Sequence, residues 1–272
     1  MYRMIVSDLD ESLLRTDGSV SPNDIATIAR LRAAGVKFVP NTGRGFQSVQ
    51  PLLKAIGTYG KAGQYVISYN GGAIIDNESG KIVASTPLPF AVADQIFRLA
   101  AAHEELGAHI YTFDHAYVYR PSTSELAYLK NRGVGYTLWH DDNLQALAGQ
   151  QLAKVIFQHP DLAVRQAFAA EVAQKVDYQP TVSYSSNRYV EFNPAGIDKG
   201  DAAIALGKLC GIKPDEIIGL GDNLNDMAMI KKVGLGVSVH NGVPAIKAAA
   251  KLVLPVDNDH DPVTKLAELV FE

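Results

Sequence analysis

The chain has 272 residues, of which 25 are basic and 29 acidic, for a formal net charge of −4. Without a basic surplus or long charge runs it has no electrostatic footprint for nucleic acid or an anionic membrane surface, and neither partner is expected. Its single cysteine, Cys210, excludes an intrachain disulfide and a multi-cysteine metal site, and the length allows one large domain or two smaller ones.

Met4-Ile5-Val6 has the character of a strand buried on both faces, and it runs into Asp8 and Asp10, two aspartates one residue apart. In open α/β sheets ligands bind beyond the carboxyl ends of the strands, and on extended backbone residues two apart point to one side. The pair is therefore expected to bring two carboxylates to bear on one point. Carboxylates at this position also displace the hydrophobic region a signal peptide needs, and with no apolar run of membrane-spanning length a cytoplasmic protein is expected.

Downstream, Ser21-Pro22-Asn23-Asp24 opens a helix that Gly35 closes, and Val36 to Val39 forms a second strand. Its end, Pro40-Asn41-Thr42-Gly43-Arg44, offers a hydroxyl, a glycine that admits close backbone approach and a following helix N-terminus that favours an anion. Tyr65 to Ser68 is a third strand, ending on Asn70-Gly71-Gly72. The β-α-β-α-β order predicts a parallel, doubly wound sheet. Ala73 to Ile75 and Lys81 to Val83 read as a hairpin.

From Pro87 to Glu191 the order changes to helices among paired strands, at His109 to Phe113 with Tyr117 to Arg120, at Leu152 to Gln158, and at Thr181 to Tyr184 with Arg188 to Phe192. This is an α+β module with antiparallel strands. Residues 133–150 give no clear pattern. The aromatics Tyr111, Phe113, Tyr117, Tyr119, Tyr136 and Trp139 fit a core better than a pocket, and His109, His115 and His140 lack metal-ligand spacing.

The α/β pattern then resumes. Lys199 lies in the first turn of a helix, where the dipole disfavours a cation, so an anion beside it is expected. Glu216 to Leu220 is a strand ending on Gly221-Asp222-Asn223-Leu224-Asn225-Asp226, where Asp222 and Asp226, four apart as loop becomes helix, can converge on one cation. Gly219 and Gly221 lack the third glycine of a dinucleotide site. Oxygen-only ligands at this density suit Mg²⁺, which leaves Thr42 and Lys199 to hold a phosphoryl group.

Together these residues resemble the haloacid dehalogenase-like hydrolase superfamily, and within it the Cof-type phosphatases, whose cap is inserted between the second and third motifs. DLDESLL is similar to the family's DxDxT motif, Thr42 in NTGR to its second, Lys199 in GIDKG to its third and GDNLNDMAMI to its acidic fourth. The resemblance implies a Rossmann-like core over residues 1–86 and 192–272, an α+β cap over 87–191, and hydrolysis of a small phosphorylated metabolite such as a sugar phosphate. By the same resemblance Asp8 is the nucleophile and Asp10 the general acid and base, and Mg²⁺ is held by Asp8, the Asp10 main-chain carbonyl, Asp222 and Asp226. Thr42, Gly43 and Lys199 are expected to contact the phosphoryl group, with Asn225, Arg44 and Asn70 in supporting positions; a monomer or weak homodimer is expected. Two departures stand out: Glu11-Ser12 replaces the usual Gly-Thr, and His260-Asp261-Pro262 stands where an acidic residue and Gly-Val are common. A phosphomutase of the same superfamily, a phosphorylation-sensing receiver module and a non-catalytic sugar-phosphate binding protein are the alternatives.

Overall fold

The computed structural model describes residues 1–131 and 133–271. The chain forms two compact units, one of residues 1–85 with 198–272 and one of residues 86–197. The first unit opens with β1 (Met4–Ser7), α1 (Pro22–Ala33), β2 (Lys37–Pro40), α2 (Phe46–Ala55) and β3 (Tyr65–Ser68), then β4 (Ala73–Asp76) and β5 (Ile82–Ser85). Ser21 caps α1 by accepting from Asp24 N at 2.9 Å, as the helix-start signature requires.

The second unit holds α3 (Phe90–Ala101), β6 (Gly107–Thr112), β7 (Ala116–Tyr119), α4 (Thr123–Asn131), β8 (Thr137–Trp139), β9 (Leu152–Gln158), α5 (Leu162–Lys175), β10 (Thr181–Ser185) and β11 (Tyr189–Asn193). Its six-stranded sheet has the order β10-β11-β9-β6-β7-β8. On one face Ala108, Ile110, Val155, Phe157, Val190 and Phe192 join α3 and α5 in an apolar core, the alternate-residue pattern of a sheet with one packed face. Tyr119 belongs to this core, and Tyr117 and Trp139 pack against it. The segment without a clear sequence pattern holds β8, a short strand parallel to β7. The unit runs through Ile197, beyond the boundary at 191 expected from the sequence, because β11 stays paired with β10 as far as Asn193.

The chain returns to the first unit with α6 (Lys199–Leu209), β12 (Ile217–Gly221), α7 (Met227–Lys232), β13 (Leu235–Ser238), α8 (Pro244–Ala249), β14 (Leu252–Val253) and α9 (Pro262–Val270). Its parallel sheet has the order β14-β13-β12-β1-β2. Met4, Val6 and Val39 pack with Leu206 and Met229 of α6 and α7, while Ile5 and Phe38, on the alternate positions, are buried on the opposite face. Each such aliphatic side chain contributes about 1.5–3 kcal/mol by leaving water.

β3 is not a full member of this sheet, contrary to the expectation of three parallel strands. It pairs antiparallel with β4, and meets the end of β2 only at an isolated bridge between Asn41 and Ile67. Pro40 accounts for the gap. Asn41 N donates to Ser7 O on the β1 side and Thr42 N to Ile67 O on the β3 side, so the Pro40 nitrogen faces β3 with no hydrogen to give. Because β1 lies between β2 and β12, the chain winds away from β1 to either side, and its carboxyl end is the topological switch point where such sheets bind ligands.

Candidate active site

Asp8 is the last residue held by the β1 ladder, its N donating to Leu220 O at 2.9 Å. The chain then turns on Leu9, whose carbonyl accepts from Leu13 N at 3.0 Å and Leu14 N at 2.7 Å. This turn overrides the extended alternation expected of Asp8 and Asp10. Asp8 is buried, whereas the Asp10 side chain is 48% exposed. Both Asp10 oxygens accept from Arg44, one from Nε at 3.0 Å and the other from Nη2. The Asp10 side chain is therefore not part of the acidic cluster.

That cluster consists of Asp8, Asp222 and Asp226, with one carboxylate oxygen from each within 4.8 Å of the others. Lys199 lies among them, wholly buried, and donates to Asp8 Oδ1 at 2.5 Å and to Asp226 Oδ1 at 2.7 Å. The anion expected beside Lys199 is thus in part the protein's own. Burial by itself would lower the Lys199 ammonium, but the charges of Asp226 and Asp8 hold it above the usual lysine range.

Asp226 uses both oxygens, Oδ2 accepting from Asp222 N at 3.0 Å and Asn223 N at 3.1 Å. It fixes the loop and Lys199 together, so a cation placed there would meet it only through its remaining lone pairs or a water. Gly221 permits the curl: a Cβ there would lie 2.6 Å from Asp226 Cβ and Cγ. Gly200 likewise lets α6 settle on α7, since its Cβ would fall 2.6 Å from the Ala228 carbonyl carbon.

Asp222 is anchored from two directions. Its Oδ1 accepts from Ser12 Oγ at 2.7 Å, and its carbonyl accepts from Val243 N at 2.8 Å. Burial, and then the charge on Asp226, push the Asp222 carboxyl up to about 6. Burial and the same neighbour push Asp8 well above the aspartate range, against the pull of Lys199. Buried carboxylates facing one another in this way favour protonation or a cation.

A pH dependence follows. Between the ordinary value of 3.8 and about 6 the folded Asp222 holds a proton that the unfolded chain has released, so stability falls as pH rises through that window, by on the order of 2 kcal/mol. The loss should be visible as a falling melting temperature between roughly pH 4.5 and 7 in chelator, smaller in Asp222→Asn, and reversed by a divalent cation that binds the ionised form. A cation-free melting temperature that climbs across this range as much in wild type as in Asp222→Asn would contradict the assignment.

Thr42 is buried, and its Oγ1 accepts from Arg44 N at 3.1 Å, which leaves the hydroxyl hydrogen for another acceptor. Gly43 lies against Asn70, whose Oδ1 would be 3.1 Å from a Cβ at position 43. Tyr69 and Asn70 have left-handed backbone, with φ 57° and 56°, and close on the 42–44 loop through Tyr69 N to Arg44 O at 3.2 Å and Asn70 N to Thr42 O at 2.9 Å. Such strain persists where surrounding structure imposes it. Asn225 is exposed, and the side chains that orient Lys199 are Asp8 and Asp226 rather than Asn225. Sequence reasoning missed Asn41, which is fully buried and donates from Nδ2 to Lys199 O at 2.9 Å; its place beside Thr42 at a strand end was the available signal.

Both departures from the family pattern fall on left-handed backbone, Glu11 at φ 61° and Asp261 at φ 56°, where glycine carries no Cβ penalty. The Glu11 turn is held by Asn241 Nδ2 donating to Glu11 O at 2.8 Å, and Asp261 accepts from Asn23 Nδ2 at 2.7 Å and Arg15 Nη2 at 3.3 Å.

Comparison with known proteins gives a consistent result. A family model described as haloacid dehalogenase-like hydrolase matches residues 5–266. Pyridoxal phosphate phosphatase YbhA of Escherichia coli is 27% identical over 97% of this chain and 96% of its own length. HMP-PP phosphatase of Serratia proteamaculans is 27% identical over 91% and 87%. Among solved structures, a haloacid dehalogenase-like hydrolase from Bacteroides thetaiotaomicron superposes with a TM-score of 0.87 at 25% identity, covering 100% of both chains.

Proposed function

Since the chain belongs to the haloacid dehalogenase-like hydrolase family, we propose that it is a Mg²⁺-dependent phosphatase that hydrolyses a small phosphomonoester through a phosphoryl group carried on Asp8. The observation that supports this most is the buried set of Asp8, Lys199, Asp222 and Asp226 at the carboxyl end of β1. Three carboxylates around one ammonium leave negative charge that an oxygen-seeking divalent cation offsets, so the donor set fits Mg²⁺. Asp8, the Asp10 main-chain carbonyl, Asp222 and Asp226 would hold it. Bound there, the ion supplies neutralisation of the repulsion between a carboxylate nucleophile and an anionic phosphoryl group.

In the first step an Asp8 oxygen forms a bond to phosphorus as the ester P–O bond breaks, and the departing oxygen takes a proton from Asp10. In the second, Asp10 takes a proton from water as the water oxygen attacks phosphorus, the Asp8–phosphorus bond breaks and phosphate leaves. Lys199 and the Thr42 hydroxyl stabilise the charge on the phosphoryl oxygens in transit. The inserted unit of residues 86–197 is read as the cap that selects the leaving group. Among the described residues no helix is long and apolar enough to cross a membrane.

The test is phosphate release from a panel of sugar phosphates, pyridoxal phosphate, HMP-PP and flavin mononucleotide, in Mg²⁺ and in chelator. At least one monoester is expected to turn over in Mg²⁺ and to stop in chelator. Undiminished turnover in chelator, or none on any ester with Mg²⁺ present, would contradict the proposal.

A further inference from the structure

Resting on that reading of Asp10, we propose that Arg44 is a positioning residue: it orients the Asp10 carboxyl for proton transfer instead of holding the phosphoryl group. The geometry is a planar fork on a planar carboxylate. Arg44 Nε donates to Asp10 Oδ2 at 3.0 Å and Arg44 Nη2 to Asp10 Oδ1, an arrangement that fixes direction as well as distance. The fork is itself held in register, because Arg44 N donates to Thr42 Oγ1 at 3.1 Å and Arg44 O accepts from Tyr69 N at 3.2 Å. Asp10 is thereby tied to the residue proposed to grip the phosphoryl oxygens.

Energy argues for a geometric role over a stabilising one. The two side chains are 31% and 48% exposed, and ion pairs this accessible contribute little to stability. Proton transfer is less forgiving: a carboxyl misplaced by about 1 Å can cost on the order of 10²-fold in rate. One Asp10 oxygen must leave the fork to reach the ester oxygen, and the second contact then serves as the pivot.

The test separates leaving groups. p-Nitrophenolate departs without a proton, whereas an alkyl alkoxide needs one, so Arg44→Ala should leave the pre-steady-state burst of nitrophenolate near wild type. The same variant should lower kcat on an alkyl phosphate roughly 10- to 100-fold. In an Asp10→Asn background it should cost nothing further on the alkyl ester. Arg44→Lys keeps the charge but loses the fork, and should show the same split to a lesser degree with an unchanged melting temperature; it carries the test should Arg44→Ala fail to fold. Equal losses on both esters that persist in the Asp10→Asn background would assign Arg44 to the phosphoryl group and overturn the inference while leaving the phosphatase reading intact. An alkyl ester turned over at full rate by Asp10→Asn would remove the role of Asp10, and the inference with it.

Discussion

Lys199→Met is expected to be the most damaging single substitution in the fold. It removes the cation that Asp8 and Asp226 share at 2.5 and 2.7 Å and leaves both carboxylates buried, Asp226 completely. Breaking a buried ion pair from one side costs about 3–5 kcal/mol, since the remaining charge has lost its partner and cannot regain water. That is a large share of the stability of an ordinary domain. The methionine matches the lysine in length, so the loss reports charge more than volume. Two signatures should accompany it. On the role proposed for Lys199 at the phosphoryl group, activity should fall by at least about 10²-fold. The stability deficit should also shrink as pH falls toward the aspartate range, where carboxyls take up protons and no longer need the ammonium. Melting curves of wild type and variant across pH measure both size and slope. A deficit below about 1 kcal/mol, unchanged by pH, would mean the cluster is not the buried charge network described here.

Asp8→Asn is expected to abolish turnover while sparing the fold. The amide keeps the shape of Asp8 and an oxygen for Lys199, so the contact to Nζ can persist in weakened form. It also removes one of the charges that crowd the Asp8, Asp222 and Asp226 cluster, which eases rather than worsens the repulsion. Chemistry is another matter: with Asp8 as the proposed nucleophile, an amide in its place is too weak to open the two-step path proposed above. Turnover should fall beyond detection in a phosphate-release assay, by roughly 10⁴-fold or more, with a melting temperature within a few degrees of wild type.

Most of this site is legible in the amino-acid sequence, for reasons that can be traced to particular residues. Asp8, Thr42 and Asp222 each interrupt an apolar strand with a polar group, a pattern a buried strand does not need and a strand end at a switch point does. Lys199 is conspicuous because it stands against the dipole of its own helix. What the sequence conceals lies in the turns. The position of Asp10 depends on a turn closed by the Leu9 carbonyl and on Arg44, which is 34 residues away, and alternation rules for strands carry no information about either. Asn41 is hidden because its role is to anchor a backbone carbonyl of α6, a contact set by packing across the sheet. The limited pairing of β3 is readable in principle from Pro40, once the direction of its nitrogen is followed. In the inserted unit the helices and paired strands follow period and turn chemistry, while β8, three residues long and exposed along most of its length, has too few residues to show a period.

If the two-step reaction holds, Asp8 itself becomes phosphorylated during turnover. The decisive measurement mixes enzyme, Mg²⁺ and a reactive phosphomonoester, quenches in acid within a turnover, reduces with borohydride and sequences the peptide that contains Asp8 and Asp10 by mass spectrometry. An acyl phosphate is reduced at its carbonyl, so residue 8 should appear as homoserine in the quenched wild type and remain aspartate without substrate. Under the same conditions Asp10→Asn, able to accept the phosphoryl group from a good leaving group but slow to release it, should show more of the product. Unmodified Asp8 under conditions where phosphate is being released, in both wild type and Asp10→Asn, would contradict a covalent intermediate and return the reaction to direct attack by water.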